Sequence, residues 1–239
     1  MTGLFVALAF MTRLPTPRLP ADSNLASAAP WLPVVGAIVG GLVTIAVALG
    51  SGVSPWIGAL LGLLAWILVT GGLHVEGLGD VADGLGAAHG NRERFIEVAR
   101  DPHLGGFGAI AIALQLLTKL VLLAVLAERA TLGELVASLA LVAAWARWAP
   151  LALGLAVPPL GEGMASRFVA GIDQRVVGLE AVVLAIATLV VAPVLLAALP
   201  LTAVLALYWR VRVGGMNGDC HGASIEVMES ALLFLLLLV

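Results

Sequence analysis

His74, Glu76, Asp80 and Asp83 stand close together in an otherwise apolar chain, within Gly71-Gly72-Leu73-His74-Val75-Glu76-Gly77-Leu78-Gly79-Asp80-Val81-Ala82-Asp83-Gly84. Glu76, Asp80 and Asp83 are spaced i, i+4, i+7, which predicts one carboxylate stripe along a helix. Like charges so arranged repel by roughly 0.2–0.5 kcal/mol per pair in water, and by more where water is scarce. A cation offsets that repulsion, and a donor set made only of oxygens suits Mg²⁺ or Mn²⁺. Gly77, Gly79, Gly84 and Gly86 lie among the acids. They weaken a helix but allow a metal-bound phosphate or a second helix to come close. The plain alternative is a solvated helix end. His74 falls off the acidic stripe and reads as a hydrogen-bonding partner rather than a ligand.

Two further clusters share this character. Arg100-Asp101-Pro102-His103-Leu104-Gly105-Gly106-Phe107-Gly108 joins charge to a glycine-rich helix start, whose free N–H groups favour anions. Asp101 reads either as a fourth metal ligand or as the N-cap of the helix that follows. Arg92, Arg94 and Arg100 are placed to clamp phosphate oxygens, although a basic loop beside a membrane needs no such task. In the segment 210–226, a helix starting near Asn217 puts Asp219 and Glu226 on one face, with Gly222 and Ala223 between them. The alternative there is a glycine-rich turn with a capping Asp. Cys220 and His221 have no second Cys or His at zinc spacing. Two cations sit inside apolar runs. Lys119 snorkels or pairs, and Arg147 requires an acid or a phosphate.

The elements that position these residues are membrane helices. Hydrophobic residues make up 61% of the chain and charged residues 11%, with mean hydropathy +1.10. Soluble domains carry roughly 45–50% apolar and about 25% charged residues. The expected fold is therefore all-α, a polytopic membrane helix bundle forming one domain over 1–239. The net charge of −3 points to no partner such as nucleic acid, and the single cysteine excludes an intrachain disulfide. The first eleven residues lack a basic leader and a cleavage site, and are too short to span. They are expected to lie in the interface or to re-enter.

Apolar runs cover 32–50, 55–73, 104–127, 132–157, 178–209 and 231–239. The run 178–209 is long for one helix and contains Pro193 and Pro200. Arg13, Arg18, Arg92, Arg94, Arg100, Arg167, Arg175, Arg210 and Arg212 fall in the N-terminal and polar segments, whereas the other connections hold only Arg129. If every basic segment is cytoplasmic, 178–209 crosses twice and the chain has seven spans, with six as the alternative. The three polar segments then share the cytoplasmic face.

Taken together the motifs resemble the adenosylcobinamide-GDP ribazoletransferases, or cobalamin synthases. The resemblance rests on Thr12-Arg13-Leu14-Pro15-Thr16-Pro17, the acidic block from Gly71, Asp101-Pro102-His103-Leu104-Gly105, and Gly214-Gly215-x-x-Gly218-Asp219-x-x-Gly222-Ala223. Asn217 stands where threonine is common in that family and Glu76 where aspartate is; both keep an oxygen ligand. The resemblance implies that adenosylcobinamide-GDP reacts with α-ribazole or its 5′-phosphate to give adenosylcobalamin (or its 5′-phosphate) and GMP. It implies catalytic Asp80, Asp83, Asp219 and His74, and Mg²⁺ (or Mn²⁺) on Glu76, Asp80, Asp83 and Asp101. It also implies substrate and phosphate contacts from Arg13, Arg100, His103, Arg147, Arg212 and Asn217. The location implied is the bacterial inner membrane, and a homo-oligomer is left open. Two alternatives stand beside it. Asp80-x-x-Asp83-Gly84 is similar to part of the CDP-alcohol phosphotransferase motif, whose remaining residues are not at the expected distances. Carboxylates in glycine-broken membrane helices also suit an ion-coupled transporter, which would hold them near the midplane rather than at span ends.

Overall fold

The computed structural model describes residues 2–18, 25–161, 168–169 and 171–239; Arg167 of the basic tally lies outside these. Ten α-helices are present among the described residues: α1 (Thr2–Met11), α2 (Leu32–Ser51), α3 (Pro55–Thr70), α4 (Leu73–Ala88), α5 (Arg92–Val98), α6 (Gly106–Arg129), α7 (Leu132–Ala156), α8 (Gln174–Val191), α9 (Ala198–Arg212) and α10 (Gly218–Leu236). Extended pairing among these residues is limited to one isolated bridge, Pro159 with Met216. The bundle is all-helical, as the composition requires.

Among the described residues, five helices are long and apolar enough to cross a membrane: 26–51, α6, α7, α8 and the run 193–212. A sixth is obtained only by joining α3 to α4, which meet at an 85° break. The expected count of about seven is therefore not reached on these criteria. The seventh long helix of the bundle, α10, bears Asp219, Glu226 and Glu229, a charge load foreign to a lipid-facing span. The run 178–209 does divide: α8 ends at Val191, and Pro193 opens a short 3₁₀ turn, Pro193–Ala197, before α9. Proline lacks the N–H that would continue a helix.

The break between α3 and α4 comes from Gly71 and Gly72, both left-handed with φ of 66° and 71°. Side chains rarely adopt that conformation. After it α4 leaves at 85° to α3 and packs on α10, α6 and α5. The short helix α1 packs on the 3₁₀ turn Leu25–Trp31 and adds Val6, Ala7 and Met11 to the core.

The centre of the bundle is α7, lined by α2, α8, α9 and α10. It approaches α2 closely because Gly36 and Gly40 present no side chain. A Cβ at Gly36 would overlap the Ala143 carbonyl, and one at Gly40 the Leu139 carbonyl. This small-residue spacing allows dispersion contacts between backbones where water offers no hydrophobic drive. Three tryptophans pin neighbours by their N–H groups: Trp145 donates to Thr188 Oγ1 (2.9 Å), Trp148 to the Val177 carbonyl (3.0 Å) and Trp209 to Ser224 Oγ (2.9 Å).

The basic segments gather at one end. Arg13 N donates to the Val69 carbonyl, Leu160 N to the Met216 carbonyl, and Asn91, Arg92, Arg212 and Val213 border one small cleft. At the other end, Arg129 Nη1 reaches the Leu237 carbonyl (3.4 Å). Gly40→Leu is expected to destabilise the protein by about 1–3 kcal/mol or more through overpacking of α2 on α7. Thermal unfolding in detergent checks this; an unchanged midpoint would mean the two backbones are not held in contact.

Candidate active site

The acids of the sequence motif meet those of α10 because two helices cross at glycines. A Cβ on Gly77 would come 3.1 Å from Asp219 Cα, and one on Gly222 would come 3.3 Å from His74 Cα. This crossing sets Asp219 beside the α4 stripe. Asp219 sits in the first turn of α10, behind the N-cap Asn217. Asn217 Oδ1 accepts from Cys220 N (2.9 Å), and its Nδ2 donates to Asp219 Oδ2 (2.8 Å). The cap of this helix is thus Asn217, and Asp219 is left to face α4.

The electrostatics register the convergence. The Asp80 carboxyl is pushed up to about 6, first by burial and then by the charges of Asp219, Glu76 and Asp83. Asp219 is also raised, chiefly by burial, although the Asn217 bond works the other way. Four carboxylates from two helices therefore feel one another across a partly buried surface. Glu76 is the most open of them.

Asp83 has a structural engagement that its sequence does not announce. Its Oδ2 accepts from Gly105 N (2.7 Å) and its Oδ1 from Gly108 N (2.9 Å). These are free N–H groups at the start of α6, whose N-cap Gly105 offers no side chain. The anion favoured at that helix start is a carboxylate from α4. Gly105 and Gly108 are needed because a Cβ at either would overlap the Asp83 carboxylate. Asp101 consequently does not cap α6. It turns to His103, accepting from its backbone N (3.0 Å) and meeting ring Nδ1 at 2.7 Å, and these contacts hold it below the ordinary carboxylate range. Asp101 and His103 are both exposed. Among the described residues, no three His, Cys, Asp or Glu side chains converge closely enough to hold an ion unaided.

The remaining expected residues divide between surface and core. Arg100 is exposed beyond α5, and the Arg13 side chain packs against Gly71. Arg212 borders the cleft with Arg92. Arg147 is fully buried and its guanidinium is held on Glu229 by an ion pair, so its partner is an acid of the same chain. Lys119 pairs with both Glu226 (2.6 Å) and Glu229. Trp66 Nε1 donates to Glu229 Oε1 (3.1 Å), Gln115 Nε2 to Glu226 Oε2 (2.7 Å), and the Lys119 ammonium lies 4.7 Å from the Trp66 ring centre. Glu229, Trp66 and Gln115 escaped the sequence reading. The available signal was electroneutrality: two cations in apolar spans require two acids, and Glu226 and Glu229 share a face of α10 at i, i+3.

His74 is buried at the inner edge of this cluster, and neither ring nitrogen has a hydrogen-bond partner. Beside it, bounded by α1, α2, α7 and the starts of α4 and α10, is a cavity of about 260 Å³ that Asp219 and His221 also line. A partly buried crossing of four carboxylates, with a half-open cavity beside it, suits a cation-neutralised anion and leaves room for a neutral group next to it.

The cobalamin-5-phosphate synthase family profile matches residues 3–237. The chain belongs to that family. Its relatives include the adenosylcobinamide-GDP ribazoletransferase of Laribacter hongkongensis, 47% identical over 247 residues and covering 98% of this chain and 96% of the relative. The enzyme of the same name from Thiobacillus denitrificans is 43% identical over 237 residues, covering 98% and 94%. No solved structure matches the chain. The family fixes the broad role: a multi-pass membrane transferase of cobalamin biosynthesis. Its acidic crossing depends on α10 being held in place. Glu229→Leu, which leaves Arg147 unpaired in the core, is expected to cost about 3–5 kcal/mol of stability. Unfolding in mixed micelles measures this; a loss below about 1 kcal/mol would show that the pair does not anchor the helix.

Proposed function

We infer that this protein transfers the phospho-cobinamide part of adenosylcobinamide-GDP to α-ribazole or its 5′-phosphate, releasing GMP. The observation that carries the reading is the meeting of Asp219 with Glu76, Asp80 and Asp83 at the Gly77–Gly222 crossing, in a chain of the cobalamin-5-phosphate synthase family. Its relatives are named adenosylcobinamide-GDP ribazoletransferases. A ribose hydroxyl oxygen forms a bond to the cobinamide-bearing phosphorus. The bridging P–O bond breaks, and the electron pair leaves with GMP.

The donor set fits a divalent cation of the Mg²⁺ class. It is all oxygen, and the mutual repulsion that raises Asp80 is what such an ion relieves. Asp80 and Asp83 would hold it with help from Glu76. Mg²⁺ is commonly held by one or two carboxylates, with substrate phosphates and water filling its other positions, so a complete protein cage is not required. When bound, the ion neutralises charge on the diphosphate. Asp219, raised by burial, accepts the proton of the attacking hydroxyl. Arg92, Arg100 and Arg212 at the same end supply cations for phosphate oxygens, and Arg13 braces the α3–α4 break. Asp101 and His103 act as an exposed pair at the rim rather than in the ion's own shell.

The basic end of the bundle faces the cytoplasm of a bacterial inner membrane, because Arg-rich connections stay inside. Cysteines introduced at residues 91 and 218 are therefore expected to label from one side, and labelling from opposite sides would overturn this orientation. For the chemistry, Asp80→Asn and Asp83→Asn are nearly isosteric. Each is expected to cut GMP release by about 10²-fold or more, in line with loss of an electrostatic group at a reacting phosphate. Excess EDTA is expected to abolish turnover and added Mg²⁺ to restore it. Normal turnover in EDTA would eliminate the metal, and near-normal turnover of Asp80→Asn would eliminate the carboxylate cluster as the centre.

A further inference from the structure

We propose that the cavity bounded by α1, α2, α7 and the starts of α4 and α10 receives the bicyclic heteroaromatic base of the acceptor nucleoside. The proposal rests on the transferase reading above. The cavity holds about 260 Å³ and is walled by Phe10, Leu32, Pro150, Phe168 and Ile225, with Asp219 on its border. Phe10 and Phe168 stack at 5.8 Å between ring centres, giving the wall an aromatic face. Pockets for whole ligands run roughly 300–1,000 Å³, so this one suits a single ring system of a larger molecule.

His74 supplies the polar complement. It lines the cavity, is 3% exposed, and leaves both ring nitrogens without a partner; both nitrogens are closed off, so the ring turns to present its N–H to a base. A buried polar group in that state costs roughly 1–3 kcal/mol unless a ligand satisfies it. Neutral imidazole carries one N–H donor and one lone pair. Among the pieces of the two substrates, the corrin is far too large for this space. A phosphate would meet the Asp219 carboxylate. Guanine has donors and acceptors along most of its edge, and burying them against an apolar wall is costly. A benzimidazole has an apolar rim and one free in-plane nitrogen lone pair, which a single imidazole N–H satisfies. Asp219 is both a cavity residue and the neighbouring charge that acts most on Asp80. A base seated here therefore carries its ribose to the side where the acids meet.

Gly218 gives a clean test. It lies exposed on the cavity rim, and a Cβ there would meet no atom within 4 Å, so a larger side chain is added at the cavity mouth without disturbing the backbone. GMP release by detergent-solubilised protein is measured against α-ribazole at saturating adenosylcobinamide-GDP, and then the reverse. Gly218→Leu and His74→Phe are each expected to raise the KM for α-ribazole about tenfold, the size of one lost hydrogen bond or ring contact. The KM for adenosylcobinamide-GDP is expected to stay within about twofold, less than the effect of one net hydrogen bond. If Gly218→Leu fails to fold, His74→Phe decides. A rise confined to the adenosylcobinamide-GDP KM, or no change in either constant, would overturn the assignment. So would a lipid retained by the wild type and lost from Gly218→Leu with both constants unchanged, which would make the cavity an acyl-chain hole. Failure of the wild type to release any GMP would instead bring down the transferase reading, and this proposal with it.

Discussion

Charge neutrality inside an apolar bundle is the constraint on which the rest of this structure depends. Lys119 on α6 and Arg147 on α7 are buried, as are Glu226 and Glu229 on α10. Each alone would be costly at this depth. Their mutual pairing, joined by Trp66 and Gln115, gives α10 one depth and one rotation relative to α3, α6 and α7. A hydrophobic helix of the same length would slide or turn at little cost, since lipid tails are as apolar as its neighbours. The buried ions stabilise little by themselves, but a slip of one turn would leave them unpaired. Registry is therefore their contribution.

Registry matters because the site is divided between helices. Asp219 lies two turns from Glu226 on the same helix, so fixing the lower part of α10 fixes the carboxylate at its start. The small residues finish the arrangement. Gly77 and Gly222 let α4 and α10 touch by backbone, and Gly105 and Gly108 admit the Asp83 carboxylate to the head of α6. Asp83 is thus both a member of the acidic group and the tie between two helices, with its two oxygens engaged separately. Each oxygen keeps a lone pair for another partner.

The helical class and the acidic stripe were legible in the sequence because they depend on composition and on a period of 3.6. The division of 178–209 was legible in Pro193, since a missing N–H acts locally. The depth of Arg147 announced a partner but not its identity, because pairing over 82 positions is a tertiary fact. The sharp turn of α4 was hidden for a related reason. Gly71 and Gly72 advertise freedom, and only the packing around them selects the left-handed conformation. The capping alternative for Asp101 fails because a carboxylate distant in sequence, Asp83, already occupies the N–H groups it would have capped. The extra charge of α10 likewise separates the expected seven spans from the five or six that apolarity alone supports.

The ion cluster also imposes an order on the making of the protein. Lys119 is separated from Glu226 by 107 positions, and Arg147 from Glu229 by 82. At about 5–20 residues per second, the ribosome takes roughly 4–20 seconds to supply the acids after the cations have been made. During that interval α6 and α7 hold unpaired charge, each at a cost of about 2.5–3.5 kcal/mol on insertion scales. The early helices are thus committed to the bilayer in an unfinished state, and arrival of the C-terminal helix closes the bundle. A chain cut short before Glu226 retains every one of the strongly apolar spans and still lacks the counter-charges that let them settle together.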